Sequence, residues 1–183
     1  MSSAASVEGH DRLRLFCGLR LPGAALDVLE RWQARHLSAG RVVPRAHVHV
    51  TLAFLGSTPA GELPAIVEAL RVAAGGAARP VLGPLRYRET RSVGMLVLED
   101  EDGRAARIAE QLHERLEALG VYRREQRPWL PHVTVLRFRD RPRLRPPAPK
   151  LGAFSPSDAA VYHSALRPDG AQYTVLESVA LGG

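Results

Sequence analysis

Two short segments of this chain are near copies of each other, and they limit what it can fold into. The first reads His49-Val50-Thr51-Leu52 and the second His132-Val133-Thr134-Val135. In an extended strand alternate side chains point the same way. Each segment therefore sets a histidine and a threonine on one face and aliphatic residues on the other. The copies lie 83 positions apart (132 − 49), about the length of one α/β half-domain. A fold that repeats such a strand would bring the copies face to face, with both imidazoles and both hydroxyls lining one cleft.

The surrounding pattern supplies the rest of an α+β domain. Leu13, Leu15, Cys17, Leu19 and Leu21 alternate as a strand, and Ala25, Leu29 and Trp32 then recur at helical spacing to about Leu37. After the first motif strand, Gly56-Ser57-Thr58-Pro59 reads as its end. Leu63, Val67, Leu70 and Ala74 mark a second helix, stopped by Gly75-Gly76. Residues 81–89 and 93–99 read as a strand pair, and Ile108, Leu112, Leu116 and Leu119 as a third helix ending at Gly120. The second motif strand covers 132–138, residues 139–149 form a Pro- and Arg-rich loop, and 159–166 and 173–181 are closing strands around Pro168-Asp169-Gly170. This order predicts an α+β fold of two pseudo-symmetric lobes. Antiparallel-rich sheets would flank a central cleft, with helices on the outer faces. Residues 1–12 are small and polar and read as a disordered arm, leaving 13–183 as one bilobal domain.

Composition narrows the setting. The chain has 183 residues, 45% of them hydrophobic, enough for a single substantial core. One cysteine, Cys17, excludes an intramolecular disulfide. No run of 18 apolar residues and no signal-peptide pattern is present, so no membrane association and a cytoplasmic monomer are expected. Of the 25 basic residues only Lys150 is lysine. Arg123, Arg124, Arg127, Arg137, Arg139, Arg141, Arg143 and Arg145 cluster around the second motif. That cluster is either a positive rim attracting phosphates or a solvated loop.

The twin motifs resemble those of the 2H phosphoesterases, and most closely the bacterial RNA 2′,3′-cyclic phosphodiesterase or 2′-5′ RNA ligase (LigT/ThpR type) branch. The opening Leu15-Phe16-Cys17-Gly18-Leu19 with Pro22, the two motif strands and the closing Ser164-Ala165-Leu166 to Tyr173-Thr174-Val175-Leu176 carry the resemblance, over roughly residues 13–181. Valine stands between His and Thr where leucine is common, and the Arg-Pro stretch after Phe138 is unusual. The resemblance implies hydrolysis of RNA 2′,3′-cyclic phosphate ends to a 2′-phosphate, or the reverse joining that gives a 2′-5′ linkage. It also implies that Phe54 and Arg137 help hold the nucleotide and the phosphate. Strict alternation opposes this, because it groups Phe54 with Val50 and Leu52, and Arg137 with Val133 and Val135. A bulge or a strand end would have to re-aim them. On alternation Phe54 belongs to the core, and Arg137 is open between the two sides.

The chemistry of the motif fits without a metal or nucleotide cofactor. Opening a cyclic phosphate with water needs a base for the water and an acid for the leaving ribose oxygen. Two histidines near neutrality can hold opposite protonation states. Thr51 and Thr134 hydroxyls suit the non-bridging oxygens, where charge accumulates. The arginines near His132 would lower its pKa, which makes His132 the base and His49 the acid. Two other readings stay open: a nucleotide- or RNA-binding module without turnover, and a zinc hydrolase using His47, His49 and His132. His47 otherwise belongs to the rim, His36 and His113 to helix packing or surface, and His163 to a core or edge strand.

Overall fold

The computed structural model describes residues 11–182. Most of the arm expected at 1–12 lies outside these residues, and Arg12 already belongs to the first strand. In chain order the elements are β1 (Arg12–Arg20), α1 (Gly23–His36), β2 (Arg41–Val42), β3 (His49–Pro59), α2 (Leu63–Ala74), β4 (Leu82–Glu89), β5 (Val93–Asp100), α3 (Arg104–Ala118), β6 (His132–Arg137), β7 (Asp158–Arg167) and β8 (Gly170–Ala180). The fold is α+β, as the sequence predicts. Among the strands only the two-residue β2 had no signal, being too short for any periodicity.

The strands form one antiparallel sheet in the order β4-β5-β6-β3-β1-β7-β8, with β2 on β6. The two lobes are its two arms. One arm carries β4, β5, β6 and β2, and the other β3, β1, β7 and β8. The arms join between the motif strands through a single residue pair, Val50 with Val133. Antiparallel pairing about that point sets His49 opposite Thr134 and Thr51 opposite His132.

Helices bury their apolar stripes behind the sheet. Ile66, Leu70 and Ala73 of α2, and Ile108, Leu112 and Leu116 of α3, are buried with Leu15, Leu19, Leu96 and Val161 of the strands. Each such leucine contributes about 1.5–3 kcal/mol. The Asp100 carboxylate accepts hydrogen bonds from the Ala105 and Ala106 amides at 3.2 and 2.8 Å. That cap starts α3 at Arg104, earlier than its apolar spacing shows. Cys17 is a core thiol, its pKa pushed up to about 12 by burial.

The 139–149 segment is irregular but tied down. The buried Glu89 carboxylate accepts the Arg143 and Leu144 amides at 2.9 and 2.8 Å and the Arg141 guanidinium at 3.2 Å. The Trp32 indole donates to the Pro147 carbonyl at 2.8 Å. A loop with its backbone donors spent on a buried carboxylate is a strap, not a solvated coil.

Candidate active site

A cleft of about 560 Å³ opens between the arms. It is lined by His49, Thr51, Phe54, Thr134 and Arg137, five of the six expected site residues. His132, one strand over from Thr51, is half-buried and not among the lining residues.

The two histidines are held in the same way. His49 Nδ1–H donates to the His47 carbonyl at 2.8 Å, and His132 Nδ1–H donates to the Leu130 carbonyl at 2.8 Å. Both bonds reach two residues back along the chain, so the local backbone fixes each tautomer. The neutral ring then presents its Nε2 lone pair, which in His49 accepts the Thr51 hydroxyl at 2.9 Å.

Their surroundings differ. His49 stacks on Phe16 with centroids 4.7 Å apart, and Phe16 stacks in turn on Tyr162 at 4.6 Å. Tyr173 meets His49 edge-on at 5.8 Å and packs on His47 at 4.4 Å. Enclosure in this aromatic box lowers the His49 pKa to about 4, first by desolvation, then by the positive fields of His132, Arg137 and His47. The bond to the His47 carbonyl acts in the opposite sense. Arg137 thus acts on His49, although the sequence placed the arginine field on His132.

Both motif strands bulge at the same point. Along β1 the partners run from Gly18 with Thr51 to Cys17 with Ala53, so Leu52 is an extra residue. Along β5 they run from Met95 with Thr134 to Gly94 with Leu136, so Val135 is extra. The six residues from each histidine share one exposure pattern, ending in two consecutive buried residues and then an exposed one. A bulge reverses alternation beyond it. Phe54 is therefore 50% exposed and faces the cleft, not the core. Arg137 is exposed on the same side. The expectation of a core Phe54 fails for this reason. A second extra residue, Leu55, and Gly56 at φ +67° carry β3 on to Pro59, past the end that Gly56 suggested.

Other cleft residues gave no local signal. Arg14 lies over the Phe54 ring at 4.9 Å, and with Arg41 and Arg137 it makes the positive side of the cleft. Arg139, Arg141, Arg143 and Arg145 do not line it, and Arg124 is paired with Glu117 at 3.3 Å. The expected rim is thus corrected to three arginines from β1, β2 and β6. Gly18 is a position the sequence does hint at, since glycine inside a strand often marks a close approach. A Cβ there would sit 3.0 Å from the Val50 carbonyl oxygen and 3.1 Å from His49 Cδ2. His163 pairs with Leu15 and does not line the cleft, and His36 lies 6.1 Å from Trp32. Among the described residues no three His, Cys, Asp or Glu side chains group as metal ligands.

A family model described as the 2′-5′ RNA ligase superfamily matches residues 21–167. The chain belongs to that superfamily. It is 27% identical to an RNA 2′,3′-cyclic phosphodiesterase of Escherichia coli over 171 residues, covering 92% of this chain and 96% of the other. It is 31% identical to an RNA 2′,3′-cyclic phosphodiesterase of Thermus thermophilus, covering 93% and 91%. The crystal structure of E. coli LigT complexed with NADP+ superposes with a TM-score of 0.79 at 26% identity, over 95% of this chain and all of that one. A further crystal structure, of a T. thermophilus protein, gives 0.74 at 28%, over 92% and 98%. Superfamily membership therefore extends over both arms and both motif strands. No helix among the described residues is long and apolar enough to cross a membrane.

Proposed function

We propose that the protein hydrolyses RNA 2′,3′-cyclic phosphate ends to 2′-phosphates, with His49 and His132 as acid and base. The observation that carries this reading is the pairing at Val50 and Val133, which sets two identically tethered imidazoles, each beside the other motif's threonine, on one sheet. The reading draws support from curated relatives named RNA 2′,3′-cyclic phosphodiesterase that this chain matches nearly end to end. LigT was crystallised with NADP+, a nucleotide bearing a 2′-phosphate, the group this reaction leaves.

Water attacks phosphorus in line with the P–O3′ bond. The base takes the water proton, the P–O3′ bond breaks, and the acid protonates O3′, leaving a 2′-phosphate and a 3′-hydroxyl. Thr51 and Thr134 donate to the non-bridging oxygens and Arg137 neutralises them. Water reaches His132 more readily than the boxed His49, so His132 is the base. His49 is the acid, and the bound phosphate anion restores the proton that burial removes from the free ring. With a 5′-hydroxyl in place of water as the attacking group, the same steps open the cyclic phosphate to a 2′-5′ linkage and a free 3′-hydroxyl.

The deciding assay incubates an oligonucleotide ending in a 2′,3′-cyclic phosphate with the protein and EDTA. A 2′-phosphate product is expected; chelator-sensitive turnover would favour the zinc reading, and binding without turnover the binding module. The roles are separated with a substrate whose leaving group needs no protonation. His49→Ala is expected to be rescued and His132→Ala not; the opposite pattern reverses the roles.

A further inference from the structure

Of the five buried polar side chains among the described residues, two reach from helices to the same point of the two motif strands. His113 of α3, 5% exposed, donates from Nε2–H to the carbonyl of Leu52 at 2.7 Å. Gln33 of α1, 2% exposed, donates from Nε2 to the carbonyl of Val135 at 3.0 Å and to that of Val43 at 3.1 Å. Leu52 and Val135 are the extra residues of the two bulges. We infer that Gln33 and His113 are positioning residues that hold the motif-strand bulges and so aim Arg137 and Phe54 into the cleft.

The argument is one of hydrogen-bond accounting. A bulge residue has no partner opposite it, and a buried carbonyl without a donor is costly. A polar side chain in an otherwise aliphatic layer is tolerated where it meets such a group. His113 supplies a donor to the Leu52 carbonyl, and Gln33 supplies a second donor to the Val135 carbonyl, which also accepts the Val43 amide at 3.0 Å. Without the bulges strict alternation returns Phe54 and Arg137 to the buried side. The histidines precede the bulges and keep their own tethers to His47 and Leu130. Loss of a clamp should thus disturb substrate holding more than proton transfer.

The effect on catalysis rests on the hydrolase reading, whereas the effect on the backbone does not. The test compares His113→Leu, His113→Gln and Gln33→Met, each alone and combined with Phe54→Ala or Arg137→Ala. Amide hydrogen exchange, melting temperature, KM and kcat are the readouts. His113→Leu should raise KM on the order of 10-fold with a smaller change in kcat, and speed exchange around 52–54 above other strands. His113→Gln should restore both, because glutamine does the equivalent work at Val135. His113→Leu should add nothing to Phe54→Ala, nor Gln33→Met to Arg137→Ala. Multiplicative effects in these pairs, or His113→Gln as impaired as His113→Leu, would overturn the inference. If His113→Leu does not fold, the Gln33–Arg137 cycle decides alone. If the wild type turns over no cyclic phosphate, the hydrolase reading fails while exchange at 52–54 and 135–137 still decides the clamps.

Discussion

The two motif strands are alike in backbone and unlike in surroundings. Each tethers its histidine to the carbonyl two residues back and bulges three residues after it. Yet His49 sits in a box of Phe16, Tyr162 and Tyr173 and is followed by a cleft-facing phenylalanine. His132 is followed by an arginine. A cyclic phosphate is itself asymmetric, since one ester oxygen leaves and the other stays. On the proposed reading the repeat supplies two equivalent proton-transfer positions, and the unequal surroundings give them different work.

The hardest test of this comparison removes one imidazole at a time. His49→Ala and His132→Ala should each lower kcat by about 10²–10⁴, and the double variant should fall well short of the product of the two losses. Full multiplicativity in single-turnover assays would mean the rings do not act on one phosphate. The wild-type kcat/KM profile should be bell-shaped in pH. Next come the hydroxyls: Thr51→Ala and Thr134→Ala should each cost on the order of 10² in kcat. A loss at one threonine alone would show that only one motif meets the non-bridging oxygens.

The positive side of the cleft sharpens the contrast with the strap. Arg137→Ala should reduce the slope of log KM against log salt by about 0.7, the value for one contact to a single strand. Neutralising Arg139, Arg143 and Arg145 should leave the slope unchanged, because these residues stand outside the cleft. An equal change from the strap would restore the wider rim.

The smallest effect concerns the box. Folded His49 takes up its proton near pH 4, but an unfolded histidine does so at 6.5. Between these values the unfolded chain binds more protons, so stability rises with pH and is lost on acidification from 6.5 toward 4. The slope is at most about 1.4 kcal/mol per pH unit. Urea melts across this window should show a steeper slope in the wild type than in His49→Gln, where His47, its pKa also lowered by burial and by Arg137 and Arg41, leaves a remainder. An unchanged slope would place the titrating group elsewhere.

Much of this was legible in the chain itself. Helices and strands followed from apolar spacing, and His49, Thr51, His132 and Thr134 from the repeat. The bulges were not legible, since Leu52-Ala53 and Val135-Leu136 read as ordinary aliphatic strand. Whether a strand inserts a residue depends on which partner lies beside it. For the same reason the alternation pattern misplaced Phe54 and gave no sign that Arg14, Arg41 and Tyr173 line the cleft. Each becomes a cleft residue only through strands distant in sequence.

The clamps also cross. Helix α1 follows β1 of one arm yet holds the bulge of β6 in the other, and α3 follows β5 yet holds the bulge of β3. Neither arm completes its own motif strand. A half-molecule made separately would carry a histidine and a threonine but lack the helix side chain that reaches its bulge carbonyl. Contacts between residues 102 and 61 positions apart must form before either strand is finished. Closure of such long loops is slow. The cleft should therefore be among the last features to form as the chain folds, and an early compact state would bind no phosphate.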